Sequence, residues 1–345
     1  MKKIACIGGS FNPPHYGHLK IALSILRTYH FDEVWFLPTN QSPLKDEIEV
    51  SFTDRVEMLK LLIKPYRKLH VCEIESQMKI PNYTIHTVEA LIQRYPDHRF
   101  TWIIGSDQAQ QFDKWHDSKR LLELIPFICV VRNETDKLIE SMKVFRFNKV
   151  LPYSSTEIKL GNLTMTSPAV RAYIMKYGLY KDGIFKAYHS AKRFKHVRAM
   201  KDLALDLAAH YHLDLTQVEI AALAHDMCKE WSIDKLKQYL SFYNPTYLSQ
   251  PEAIWHQQVA AAYLQRVFNV QDRSILNAIK HHSDGACLEP IAAIIYIADK
   301  CDDTRGYDAS LIIQMAYQNL NKAVKYIQAE QVTYREGKAN NEQSS

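Results

Sequence analysis

Two groups of residues in this 345-residue chain have types and spacings that can do chemistry. One lies in the second half: His196, the adjacent pair His225 and Asp226, then His256, His282 and Asp299, each at or near the end of an apolar stretch. Imidazole and carboxylate donors gathered from several helices suit a divalent transition ion such as Fe, Mn, Co or Zn, with carboxylates bridging or terminal. Any one histidine among 15 carries little weight. An ordered His, His-Asp, His, His, Asp set in a helical context points instead to a metal-dependent reaction.

The other group opens the chain. In GGSFNPPHYGH, Gly8 and Gly9 end an apolar run and let the backbone approach a ligand, and the turn into a helix brings His15 and His18 together. The free N–H groups and positive dipole end expected at that helix start, with two imidazole donors beside them, suit an anionic triphosphate. A glycine-rich turn after a strand is unspecific by itself; the His-x-Gly-His spacing sharpens it.

These groups need different scaffolds. The first half alternates β-rich runs with amphipathic stretches (KIACIGG, HLKIALSILRTYH, EVWFLPT, DRVEMLKLLIK, LHVCEIE, TIHTVEALIQRY, FTWIIGSD, KRLLELI, PFICVVR), the rhythm of a parallel sheet covered by helices. From about Lys195 helical periodicity takes over in VRAMKDLALDLAAHYH, VEIAALAHDMCKEW, HQQVAAAYLQRVF, SILNAIKHH and PIAAIIYIADK. The expected fold is an α/β doubly wound parallel sheet of Rossmann-like type followed by an all-α domain. The join is expected between Tyr188 and Lys195, where YHSAKRFK is polar, basic and aperiodic, and KANNEQSS reads as a frayed tail. A length of 345 residues fits about two domains.

Composition narrows the setting. With 47% hydrophobic and 23% charged residues and no apolar run near the roughly 20 residues of a membrane span, no membrane association is expected. MKKIACIGGSF lacks a signal-peptide core and cleavage site, and Cys6, Cys72, Cys129, Cys228, Cys287 and Cys301 have no paired spacing, so a reducing cytoplasm is the expected location. The net charge of +5 is spread along the chain, which favours small anionic substrates over nucleic acid.

GGSFNPPHYGH resembles the G-x-F-x-P-x-H-x-G-H signature of the nucleotidyltransferase superfamily, and specifically of the bacterial nicotinate mononucleotide adenylyltransferases. The resemblance continues through LPTNQSPLK with Lys45, SFTDRVEML with Arg55 and Met58, NYTIHTVEAL with Thr84, and IIGSDQAQQFDKWH with Asp107 and Trp115. It implies that Gly8, Gly9, Ser10, Phe11, Thr84 and Asp107 line the substrate site and that Trp115 stacks on the pyridine ring. The family's closing I-S-S-T-x-I-R segment is matched to MTSPAVR, giving Thr166, Ser167 and Arg171, with Pro168 in place of the threonine; SSTEIK, from Ser154, is set aside for want of a following helix. His15, His18, Lys45 and Arg171 are then the charge stabilisers, with Mg2+ accompanying ATP. An ionised attacking phosphate needs no general base.

The second-half set resembles the HD phosphohydrolase superfamily, and AALAHDMCKEW, IWHQQVAA, IKHHSDG and IIYIADKCDDTRGYD are similar to segments of its YqeK-like branch. By that resemblance His282, before Ser283, is the ligand and His281 its neighbour, Lys229 and Arg305 bind phosphate, and iron is the expected ion. The two resemblances together imply a bifunctional enzyme. Residues 1–188 would transfer adenylyl from ATP to nicotinate mononucleotide, giving nicotinate adenine dinucleotide and pyrophosphate. Residues 189–345 would hydrolyse a nucleotide polyphosphate, symmetrical cleavage of diadenosine tetraphosphate to ADP being associated with that branch. The rival reading is another nucleotidyltransferase of the same fold carrying a non-catalytic nucleotide-sensing module. Expected partners are small-molecule nucleotides, without nucleic acid or membrane, and homo-oligomerisation stays open.

Overall fold

The near-continuous apolar runs of the first half are those of strands buried on both faces. In the computed structural model, which describes residues 1–41, 50–131, 139–148 and 151–343, they form one parallel sheet. Its strands are β1 (Lys2–Gly9), β2 (Glu33–Pro38), β3 (Leu69–Val71), β4 (His98–Gly105), β5 (Phe127–Val131) and β6 (Lys143–Arg146), ordered β3-β2-β1-β4-β5-β6. The crossovers carry α1 (Tyr16–Thr28), α2 (Phe52–Ile63), α3 (Thr84–Arg94), α4 (Ser106–Ala109) and α5 (Ser118–Leu124). On one face Ile4, Cys6, Leu37, Trp102 and Cys129 pack with Ile85, Val88 and Leu91 of α3 and Leu121 of α5. Strand order reverses at β1, between whose end and that of β4 such sheets hold their ligands.

The two loops leaving β1 and β2 are stitched by a buried charge. Arg55, 1% exposed, donates from Nη1 to the carbonyls of Ser10 (2.7 Å) and Thr39 (2.8 Å), and from Nη2 to that of Asn40 (3.3 Å). From the other side Glu75 accepts from the Thr87 hydroxyl (2.9 Å) and the Asn40 amide (3.3 Å), and Asn82 Oδ1 accepts from the Gln41 amide (3.1 Å).

Residues divide by contact into two units, Met1–Ile158 with Thr164–Val170, and Lys159–Leu163 with Arg171–Ser345. Between β6 and the helical half lie α6 (Ser155–Lys159), α7 (Pro168–Lys176) and α8 (Lys181–Lys186). The second unit continues with α9 (Ala191–His210), α10 (Leu215–Ala224), α11 (Ile233–Tyr243), α12 (Trp255–Val267), α13 (Arg273–His281), α14 (Pro290–Cys301), α15 (Ser310–Gln318) and α16 (Leu320–Gln343). Helix α14 is buried from Ile291 to Asp299, as a helix apolar all round must be. Among the described residues no helix is long and apolar enough to cross a membrane, and none of the six cysteines forms a disulfide.

Three expectations change. YHSAKRFK is not an aperiodic join: Ser190 caps α9, accepting from the Arg193 amide, and Glu230 takes both its amide (2.7 Å) and its hydroxyl (2.6 Å). The KANNEQSS tail is helical through Gln343, because nothing before it interrupts the hydrogen-bond ladder of α16. β6 is absent from the expected strands, since its KVFR is mostly exposed and lacks an apolar run.

Burial pushes the Glu75 carboxyl from its ordinary 4.5 up to about 7 despite its bonds to Thr87 and Asn40 and the nearby Arg55 charge. An acid whose pKa is raised on folding binds its proton more tightly when folded, so this contribution favours folding below pH 4.5 and is lost as pH rises through about 7. Wild type is expected to lose about 3 kcal/mol over that window from this group, and Glu75→Gln to flatten the slope. Urea unfolding at about pH 5 and pH 8 measures both.

Candidate active sites

His15 ends the loop after β1 and sits at the N-cap of α1. Its Nδ1 accepts from the Gly17 amide at 3.1 Å, while His18 Nδ1 accepts from the His15 amide at 3.1 Å, a reciprocal cap built from two imidazoles. A ring nitrogen that accepts from a backbone N–H carries no proton, so a neutral imidazole holds its proton on Nε2. The rings stack with centroids 3.7 Å apart and planes 23° apart, which disfavours charge on both. The loop thus fixes two neighbouring Nε2–H donors.

This corrects the expectation of free helix amides: Gly17 bonds the His15 ring, and the His18 amide bonds the His15 carbonyl at 3.0 Å. The cap consumes these backbone donors, and the imidazoles stand in for them. Phe11, buried and at φ 48°, sets its ring edge-on to His18 at 4.9 Å. Gly8 is required by packing, since a Cβ there would lie 2.7 Å from the Trp102 ring.

Of the remaining residues singled out in the first half, Ser10 gives its carbonyl to Arg55, Thr84 opens α3, and Asp107 is exposed on α4 just past β4. Trp115 is half-buried with its ring 5.3 Å from Phe112. Lys45 lies outside the described residues. The Thr166 hydroxyl donates to the Pro14 carbonyl (2.9 Å), and Ser167 accepts from the Val170 amide. Arg171 donates from Nη1 to the Val267 carbonyl at 2.6 Å, within the second unit. The segment set aside reaches the histidine loop as well. Ser155 donates to the Pro13 carbonyl (2.8 Å), Ser154 accepts from the Thr156 amide, and SSTEIK itself forms α6.

In the second unit five helices converge. His196 comes from α9, His225 and Asp226 from just past α10, His256 from α12, His282 from just past α13 and Asp299 from α14. Asp226 stands between two groups: its Oδ1 lies 3.2 Å from His256 Nε2 and 3.4 Å from His282 Nε2, and its Oδ2 lies 3.7 Å from His225 Nε2. His196 Nε2 meets Asp299 Oδ1 at 3.1 Å, and His225 Nε2 lies 3.7 Å from the same oxygen. Donor atoms of His196, His225 and Asp226, and of Asp226, His256 and His282, fall within 4.8 Å of one another.

The donor chemistry fits a cation. His225 Nδ1 donates to the Ala222 carbonyl (2.7 Å) and His282 Nδ1 to that of Ile279 (2.8 Å), which leaves an Nε2 lone pair on each. His225 Nε2 is buried, faces two carboxylates and has no hydrogen-bond partner among the described residues. A lone pair aimed at anionic oxygens is repulsive unless a positive ion lies between. Burial lowers His225 and His256 to about 4, so both rings are neutral near pH 7. Burial pushes the Asp226 and Asp299 carboxyls up, but His225 beside the first and Lys300 beside the second hold them well below the usual range.

Sequence reasoning missed Arg193, Asp302 and Lys300 as supports, and gave Lys229 and Arg305 as phosphate binders rather than partners of the cluster. Arg193 Nη1 pairs with Asp226 Oδ2 at 2.8 Å, and Asp302, 0% exposed at its side chain, faces His196 Nδ1 at 3.1 Å. Lys300 holds Asp299 Oδ2 at 2.7 Å. Arg305 also grips Asp299, donating to its carboxylate (2.5 Å) and its carbonyl (2.7 Å). Lys229 donates to the Ala253 carbonyl (3.2 Å) and lies 3.4 Å from His256 Nδ1. His281 is held apart from the ligand set by Asp284 at 3.3 Å.

A histidine-bearing loop at the switch point of a doubly wound sheet, and a His/Asp cluster among helices, define a nucleotidyltransferase domain joined to an HD domain. Family models agree, the cytidylyltransferase-like one matching residues 6–161 and the HD domain residues 193–304. The chain belongs to the nicotinate-nucleotide adenylyltransferase family: a Bacillus cytotoxicus relative of that name is 37% identical over 188 residues, 52% of this chain and 100% of that protein. A Mycoplasma genitalium relative whose name joins nicotinate-nucleotide adenylyltransferase to Ap4A hydrolase is 29% identical over 344 residues, 95% of this chain and 98% of that one. A solved Clostridium acetobutylicum structure, described as a predicted HD superfamily hydrolase involved in NAD metabolism, covers 46% of this chain and 88% of its own at 24% identity and a TM-score of 0.43.

Because His225 and His256 are neutral down to about 4, protons should compete for a bound ion only as pH falls toward that value rather than near 6.5. Elemental analysis after dialysis across this range is expected to show metal retained at about pH 6 and released near pH 4.

Proposed function

We propose that the chain is a bifunctional nucleotide enzyme of a reducing cytoplasm. Its first part makes nicotinate adenine dinucleotide and pyrophosphate from ATP and nicotinate mononucleotide; its second hydrolyses a nucleotide polyphosphate, with diadenosine tetraphosphate cleaved to two ADP. The observation that carries the first is the stacked His15–His18 pair beyond the end of β1, each ring fixed through its Nδ1 by a backbone amide. The observation that carries the second is Asp226 between two histidine groups, with the unpartnered His225 Nε2 facing it.

In adenylyl transfer the mononucleotide phosphate, already ionised, attacks the α-phosphorus of ATP in line, and the protein's task is placement and charge stabilisation. Mg2+ carried with ATP neutralises part of the polyphosphate charge. His15 and His18 donate to phosphoryl oxygens that gain charge, Lys45 adds a cation, and Ser155 with Thr166 braces the loop through its proline carbonyls. Trp115 supplies a stacking surface for the pyridine ring. Residues 1–188 are assigned to this reaction and 189–345 to hydrolysis. Residues from Arg171 onward pack within the second unit, Phe185 on Phe268 at 5.7 Å and the Tyr188 hydroxyl on the Gly161 carbonyl at 3.0 Å, so an independent hydrolase fragment should start nearer Arg171 than Tyr188.

In hydrolysis His196, His225, Asp226 and Asp299 would hold one ion, and Asp226, His256 and His282 another, iron being the expected metal. Bound there, the ions supply a nucleophilic water and charge for a phosphate oxygen. Arg193, Lys300 and Arg305 pair with the two carboxylates, and with Lys229 they surround the site with positive charge, which favours an anionic substrate.

His18→Ala is expected to reduce dinucleotide synthesis by roughly a hundredfold or more, the scale of one lost charge stabiliser. Arg171→Ala is expected to cost less than His18→Ala, since one nitrogen of its guanidinium is held at the Val267 carbonyl. Product analysis with ATP and nicotinate mononucleotide checks both; a large loss in the arginine variant would return that residue to the phosphate site. Asp226→Ala should lose metal and hydrolysis of diadenosine tetraphosphate together while synthesis continues. A metal-free Asp226→Ala protein that still released ADP at the wild-type rate would exclude the metal mechanism.

A further inference from the structure

Next to His256 stands Gln257, whose side chain is fully buried. A buried primary amide must find partners. Its Oε1 accepts from the Ser283 amide at 3.1 Å, and its Nε2 donates to the Tyr247 hydroxyl at 2.7 Å and to Asp284 Oδ2 at 3.2 Å. Ser283 directly follows His282. One side chain therefore ties the residue after one histidine to the residues after the other, from α12 to the turn that closes α13.

That turn is fixed from further sides. Asp284 Oδ1 accepts from the Ala286 amide (2.9 Å) and faces His281 Nδ1, while Gln328 of α16 donates to the carbonyls of Asp284 (3.0 Å) and Gly285 (3.2 Å). Held between these anchors, His256 Nε2 and His282 Nε2 lie 3.1 Å apart.

We propose that Gln257 is a positioning residue that sets the separation and aim of His256 and His282, and thereby the ion affinity of the site they form with Asp226. The inference rests on the metal-site reading above and deepens it. His282 is aimed by its own bond to the Ile279 carbonyl, but that bond is internal to the α13 end and does not fix α13 against α12. Apolar packing between two helices tolerates shifts of several tenths of an ångström, whereas metal distances are held within about 0.2 Å. The amide bridge supplies the missing constraint where the two ligands enter the site.

The test separates this role from mere packing. The full-length protein is stripped with chelator and titrated with Mn2+, free Mn2+ being read by electron paramagnetic resonance, for wild type, Gln257→Leu and the double variant Gln257→Glu with Asp284→Asn. Leucine keeps the volume and removes all three bonds; the double variant exchanges donor and acceptor across the pair at constant charge. Gln257→Leu is expected to weaken Mn2+ binding at one site about 10–100-fold, the usual cost of losing an outer support of a metal ligand, and the double variant to recover most of it. If the leucine variant does not fold, Gln257→Asn, whose shorter amide cannot span to Ser283, takes its place with the same expectation. Wild-type affinity in the single variant, or a loss without recovery in the double, overturns the proposal. A wild-type chain that binds no Mn2+ removes the metal-site reading itself.

Discussion

The second unit is organised around the Asp226 carboxylate, 5% exposed and drawn on from every side. An ionised carboxylate in an apolar interior is costly unless charge and hydrogen bonds meet it. Here Arg193 pairs with one oxygen and two imidazoles crowd the other, while His225 turns a lone pair toward it. The surrounding helices have no freedom to move apart without stranding that charge. The arrangement also explains why backbone carbonyls of Ala222 and Ile279 are used as acceptors: each takes the Nδ1 proton and so decides which nitrogen faces inward.

The first unit solves a related problem in the opposite sense. There the backbone donates to Nδ1 of His15 and His18, so the outward nitrogen keeps its proton. The same side chain is thus made a donor at one end of the chain and an acceptor at the other, purely by whether a backbone amide or carbonyl meets Nδ1. Donors suit a polyphosphate and lone pairs suit a metal ion, and neither requires charged imidazole.

The strands β1, β2, β4 and β5 were legible because their apolar runs exceed anything a turn or exposed helix tolerates. β6, four residues of mostly exposed KVFR, leaves no such trace. The six candidate ligands were picked out for a different reason, the order of residue types on helices, and the structure brings all six together. What stayed hidden depends on three-dimensional partnership. Arg193, Asp302 and Gln257 are ordinary polar residues in sequence and become supports only when folding places them beside Asp226, His196 and Ser283. The contacts of MTSPAVR and SSTEIK were hidden likewise, because motif similarity does not show that Thr166 and Ser155 both reach proline carbonyls of the histidine loop.

The chain leaves the first unit at Ile158, re-enters it at Thr164 and leaves again after Val170. The five residues between are closely fitted to α8 and the residue that caps it: Lys159 lies over the Tyr180 ring, and its carbonyl would lie 2.7 Å from a Cβ at Gly183. Two proteins merely joined end to end by their genes would share one crossing rather than three. A boundary drawn between the two parts therefore cannot be a single point in the sequence: residues 159–170 alternate between them, and a fragment of either part is best cut with that alternation in view.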